Sequence, residues 1–148
     1  TLFPDVRLKK IIEVRGADTV PRAHICALPA LWKGLLYDKG ALEATWELLG
    51  NVSPEQLDAG QLDVAMLGLR ADMAGRKVLD MARELVEISA VGLARAHADG
   101  FANHDETIFL DPLREQVEKG KSPGQEVAES WRGEWGMNRE RLIKATRY

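Results

Sequence analysis

Four charged residues near the start of the chain have types and spacing that could do chemistry. Arg7, Lys9, Glu13 and Arg15 all fall at odd positions, while Val6, Leu8, Ile12 and Val14 fall at even ones. Side chains of a strand alternate between two faces, so this pattern predicts a half-buried strand with one charged and one apolar face. A carboxylate such as Glu13 can hold a hard cation such as Mg²⁺ through oxygen. A guanidinium such as that of Arg15 can grip a phosphate or a substrate carboxylate with two parallel hydrogen bonds. Fixed side by side, the two would suit phosphoryl transfer, where charge must be neutralised as it moves. Arg7 and Lys9 are weaker candidates for anion contacts. The plainer reading is an exposed sheet face whose charges only pair with each other.

The remaining reactive side chains offer less. Cys26 stands among Ile25, Ala27 and Leu28, which is the setting of a small buried hydrophobe. His97 and His104 lack the spacing of metal ligands. Asp105 and Glu106 suit the start of a helix, where acidic groups meet the positive end of the macrodipole. Trp32 and Trp46 lie on apolar helical stripes, so core packing is expected of both. Trp131 and Trp135 do not form a stripe and are expected to hold a terminal tail on the body.

Positioning such a site requires elements, and these read as one strand followed by six or seven helices. The strand covers about residues 2–17, with Lys10 its main irregularity and Gly16 and Asp18 ending it. From residue 23 onward the pattern is helical to the end. Leu28, Leu31, Trp32, Leu35 and Leu36 give an apolar face to a helix ending near Tyr37. A second helix, about 41–49, turns Leu42, Trp46 and Leu49 inward. Ser53-Pro54-Glu55-Gln56 and Ser122-Pro123-Gly124-Gln125 are capping boxes with proline at the first helical position. The clearest helix runs over about 76–98, with Val78, Ala82, Leu85, Val86, Ser89 and Leu93 as its inner stripe. Shorter helices are expected over about 112–119 and 138–146. A lone strand leaves backbone hydrogen-bonding groups unpaired. Its sheet is therefore expected to lie in residues outside this sequence, in preference to pairing with a second copy.

Composition bounds the function. The chain has 148 residues and a mass of 16.4 kDa, enough for one domain or part of one. Lys+Arg is 20 and Asp+Glu is 23, a net charge of -3, which does not suggest a nucleic-acid partner. No apolar run approaches the roughly 18 residues that span a membrane. The single cysteine excludes an internal disulfide and fits a reducing compartment, so a cytoplasmic location is expected. The chain opens at Thr1 and not at Met, so the lack of a targeting signal carries no weight.

At the residues of the proposed strand the sequence resembles a known family. TLFPDVRLKKIIEVRGAD, followed by CALPALWKGLLYD, is similar to the glutamate–cysteine ligases of the plant and proteobacterial type. GLRADMAGRKVLDMARELVEISAVGLARA, DETIFLDPLREQVEKGKSPGQEV and WRGEWG resemble later parts of the same family, in order. The resemblance implies an enzyme that joins the γ-carboxylate of glutamate to the amine of cysteine, with ATP as co-substrate and Mg²⁺, through γ-glutamyl phosphate. That is the first step of glutathione synthesis. It implies an α+β parent fold similar to that of glutamine synthetase, with a curved antiparallel sheet forming the active-site cup. In that superfamily a strand carries Glu-x-Arg, its Glu on metal and its Arg near the transferred phosphate. Glu13 and Arg15 match this pattern.

Family members run to several hundred residues, so residues 1–148 are expected to be about the C-terminal third, part of a single catalytic domain. The partners implied are glutamate, cysteine, ATP and the preceding part of the same protein, and the piece alone is expected to be inactive. Disulfide-based control, known in plant relatives, is not carried over to a chain with one cysteine. Two other readings fit the same residues: another carboxylate–amine ligase of this fold, or a non-catalytic helical module whose strand edge pairs with a partner.

Overall fold

A computed structural model describes residues 6–17 and 20–147. The expected strand residues 2–5 and the turn residue Asp18 lie outside these. Among the described residues the architecture is mostly helical, with two small hairpins and seven α-helices.

The first hairpin corrects the single-strand expectation. Its strands are β1 (Val6–Leu8) and β2 (Ile12–Val14), antiparallel, with Val6 opposite Val14, Arg7 opposite Glu13 and Leu8 opposite Ile12. Lys9, Lys10 and Ile11 form the turn, closed by the Lys9 N–H donating to the Ile11 carbonyl at 2.9 Å. The irregularity at Lys10 is thus a reversal of the chain. Among the described residues the strand pairs with its own continuation. A three-residue turn preserves parity, so the even residues still share one face and the odd residues the other.

Helix α1 (Ala27–Leu36) and α2 (Lys39–Leu49) follow a short 3-10 turn at Arg22–His24. Helix α3 (Pro54–Leu67) and α6 (Pro123–Arg132) both open with the expected capping boxes, Ser53 with Gln56 and Ser122 with Gln125. Between α3 and α4 (Val78–Ala98) lies a second hairpin, β3 (Asp72–Met73) with β4 (Arg76–Lys77). It takes Arg76 and Lys77 out of the helix expected there. Helix α5 (Asp111–Lys119) ends at Gly120 in the left-handed conformation, φ 65°, and α7 (Arg139–Ala145) closes the chain.

The core forms where α1 crosses α4. Leu93 and Leu110 are almost fully buried, together with Ala30 and Ala90, and Leu31 and Leu113 pack against them. The two helix backbones touch at Gly34 and Gly92. A Cβ on Gly34 would collide with the Ser89 carbonyl, and one on Gly92 with the Gly34 carbonyl. Ser89 is wholly buried, and its hydroxyl donates to the Leu31 carbonyl at 3.0 Å, so its polar atom is satisfied.

This close approach revises three expectations. Helix α2 meets α4 through Ala41, whose Cβ lies beside Gly92, so small residues face the core. Leu42 and Trp46 consequently point outward, Trp46 being 73% exposed, and only Leu49 of that expected trio is half-buried. Trp32 is half-buried rather than core. On α4, Val86, Ser89 and Leu93 are buried as expected, but Val78, Ala82 and Leu85 are half-buried, and Met81, Ala90 and Gly92 are buried instead. Helix α4 packs against α1, α2 and α5 at once, and this widens its buried arc beyond a single stripe.

Candidate functional site

The first hairpin brings three of the four expected site residues into contact. Arg7 Nε donates to Glu13 Oε2 at 2.8 Å, and Arg7 Nη2 lies 2.7 Å from the same oxygen. Lys9 reaches that oxygen from the turn, its Nζ at 3.9 Å. All three contacts fall on Oε2. Arg15 lies one residue beyond the end of β2 and is exposed. It shares the odd register with Glu13 but not the strand itself.

The opposite face is apolar and uncovered. Val6, Leu8 and Ile12 are 55%, 81% and 61% exposed. A charged face around one carboxylate can bind an anion through Arg7, Lys9 and Arg15, or offer one oxygen to a cation through Glu13. Glu13 has the hard carboxylate oxygens that Mg²⁺ takes, but here it is paired with Arg7 and Lys9. Among the described residues no group of three or more His, Cys, Asp or Glu is placed to hold a metal ion. Further ligands would have to come from elsewhere.

The other reactive residues stand apart from this face. Cys26 is exposed at the start of α1, against the expectation of a buried hydrophobe, because Ala27 and Ala30 are the residues that α1 turns inward there. His97 Nδ1 lies 3.1 Å from the Ala102 carbonyl at the end of α4. Asp105 caps its own turn by accepting from the Thr107 N–H, and Glu106 binds Lys33 at 2.6 Å. Trp131 and Trp135 are half-buried where α6 gives way to the last helix, and the Met137 N–H donates to the Trp131 carbonyl at 2.8 Å. No described helix is long and apolar enough to cross a membrane.

Comparison with known proteins decides what this arrangement belongs to. The model of Glutamate-cysteine ligase family 2 matches residues 1–145. The chain belongs to this glutamate–cysteine ligase family. It is 34% identical over all its 148 residues to the chloroplastic glutamate–cysteine ligase of Solanum lycopersicum, of which it covers 27%. The chloroplastic enzyme of Arabidopsis thaliana is 32% identical over the same 148 residues, again 27% of that protein. Ligase A of Oryza sativa subsp. indica is 32% identical over 135 residues, which is 91% of this chain and 26% of that one. The matched stretch is the C-terminal portion of the relatives, and the chain spans about a quarter of their length. These relatives are named as chloroplastic, which overturns the expectation of a cytoplasmic location for a family member of this kind.

Proposed function

We propose that residues 1–148 form the C-terminal part of an ATP-dependent glutamate–cysteine ligase and supply one charged wall of its active site. The observation that carries this reading is the match along essentially the whole chain to the ligase family, with Glu13 and Arg15 on the charged register of the first hairpin.

In this reading the γ-carboxylate of glutamate attacks the γ-phosphorus of ATP, and ADP leaves. The amine of cysteine then attacks the carbonyl carbon of the γ-glutamyl phosphate, phosphate departs, and the amine loses a proton. Glu13 would contribute one carboxylate ligand to Mg²⁺, which when bound would supply charge neutralisation for the phosphates. Arg15 meets the oxygens of the transferred phosphoryl group, where its planar fork spans two of them. Arg7 and Lys9 add positive potential that draws the polyanion to the hairpin. Among the described residues no group of three metal-ligating side chains completes a metal site.

Two experiments test the proposal. The purified 148-residue chain, given glutamate, cysteine, ATP and Mg²⁺, is expected to release no γ-glutamylcysteine, and turnover would overturn the reading of an incomplete site. In the full-length ligase, Glu13→Gln is expected to weaken metal binding and lower the rate while the fold survives. Arg15→Lys keeps the charge but loses the fork, so kcat should fall more than ATP affinity. Removing one such donor costs about 3–4 kcal/mol, or roughly 10²–10³ in rate. A surface ion pair is worth only about 0–1 kcal/mol, so near-parental kcat in both variants would leave the hairpin as an ordinary solvated face.

A further inference from the structure

Helix α2 carries two adjacent rows on its outer face, Leu42 with Trp46 and Glu43 with Glu47, the members of each row one helical turn apart. Together they line a largely apolar cleft of about 410 Å³. Trp46 is 73% exposed and Leu42 45%. The indole is nonetheless seated. It lies over Gly50, where an added Cβ would come within 2.9 Å of Trp46 Cε2 and 3.0 Å of its Nε1. An exposed tryptophan that is already held loses little freedom when a partner covers it. The row beside it carries surplus negative charge: Glu43 lies 3.8 Å from Lys39, and Glu47 has no ion-pair partner among the described residues. This face differs from that of the first hairpin, where Val6, Leu8 and Ile12 stand together without a charge among them. On α2 an aromatic anchor stands beside an acidic rim, which is the make-up of a surface that partners enter and leave.

We propose that the outer face of α2 is a docking surface for a basic amphipathic helix of another protein. The apolar stripe of that helix covers Trp46 and Leu42, and its flanking Lys or Arg residues meet Glu43 and Glu47, as charged flanks do beside the apolar seam of paired helices. A second copy of this chain fits less well, because it brings two further glutamates to the same contact, where like charges repel. Neither row involves the first hairpin, so this surface stands whatever the chemistry of Glu13 and Arg15.

The test uses the full-length ligase and a fluorescently labelled synthetic helix, with leucines at i, i+3, i+4 and i+7 flanked by lysines, read by anisotropy. An otherwise identical helix with glutamates in place of the lysines is the control. The lysine helix should bind at least about tenfold more tightly than the glutamate helix, and the difference should shrink as salt is added. Trp46→Ala should weaken binding of the lysine helix at least about tenfold, the loss expected of an aromatic anchor. Glu43→Lys combined with Glu47→Lys should abolish the preference for the lysine helix. These variants should form γ-glutamylcysteine at the parental rate, which shows that they are folded. Equal binding of the two helices by the parent, or undiminished binding by Trp46→Ala, would overturn the proposal. So would a Trp46 that acrylamide does not quench in the full-length ligase, judged against Trp46→Phe, since the remainder of the protein then covers it. A dimer that Trp46→Ala dissociates in sedimentation would overturn it too, because a second copy then occupies the face.

Discussion

Asp38 shows how much one side chain can do at a junction. Its Oδ1 accepts the Ala41 N–H at 2.7 Å, capping α2, and lies 3.1 Å from Arg95 Nη1 on α4. The Ala41 N–H chiefly, and then Arg95, hold its carboxyl below the usual carboxylate range. A carboxyl whose pKa is lowered by folding stabilises the fold fully above its unfolded pKa. That contribution disappears as pH falls through the folded pKa. Asp38→Ala should therefore cost about 0.5–2 kcal/mol at neutral pH, the usual worth of such a cap. The cost should shrink toward zero in strong acid, and denaturant titrations of parent and variant at the two conditions measure it. Asp38→Asn retains a capping oxygen and should show a smaller cost with a flatter pH dependence. At this same scale the site was partly legible: alternation placed Arg7 and Glu13 on one face because parity survives a three-residue turn. The pairing of Arg7 with Glu13 was not legible, since it depends on a reversal at Lys10 that carries no glycine or asparagine to signal it.

At the scale of elements, local grammar read well and tertiary override read poorly. Ser53 with Gln56 and Ser122 with Gln125 announce their helices because a capping box is complete within four residues. The hairpin of β3 and β4 was invisible for the opposite reason. Its turn places Ala74 at φ 51° and Gly75 at φ 80°, and a left-handed alanine is not a turn signal. Ala74→Asn supplies the residue that such a turn favours and should stabilise the protein by about 1 kcal/mol, visible as a raised thermal midpoint. An unchanged or lowered midpoint would mean that the strain is relieved elsewhere. Trp46 was misplaced because apolar periodicity identifies a face but not which face a neighbour can reach. Where Gly92 draws helices together, Ala41 fits and tryptophan does not.

Across the whole molecule, burial is concentrated in one crossing and sparse elsewhere. Leu93→Ala should cost about 2–5 kcal/mol, as expected for a packed core leucine. Leu85→Ala, at a half-buried position, should cost clearly less. Urea midpoints for the two variants decide this, and equal losses would mean that α4 is rotated relative to the helix described. Large apolar side chains remain exposed on the first hairpin, on α2 at Trp46 and on α3 at Leu62 and Met66. A two-stranded hairpin is marginal by itself in water. Under the proposed reading, the rest of the ligase would cover Val6, Leu8 and Ile12.

The glycine crossing of α1 and α4 also sets an order in time. Ser89 and Leu31, which meet there, are 58 residues apart in sequence. By the usual logarithmic dependence on loop length, closing that separation costs about 3.6 kcal/mol of chain entropy, before a constant term and before any side chain is buried. Lengthening the excursion through α2, α3 and the second hairpin would be cheap, at about 0.6 kcal/mol for each doubling. During synthesis at about 5–20 residues per second, the notch at Gly34 would wait roughly 3–12 s for Gly92 to be made. For that interval α1 exposes the surface that later forms the centre of the protein, and whatever shields a nascent chain must do so there.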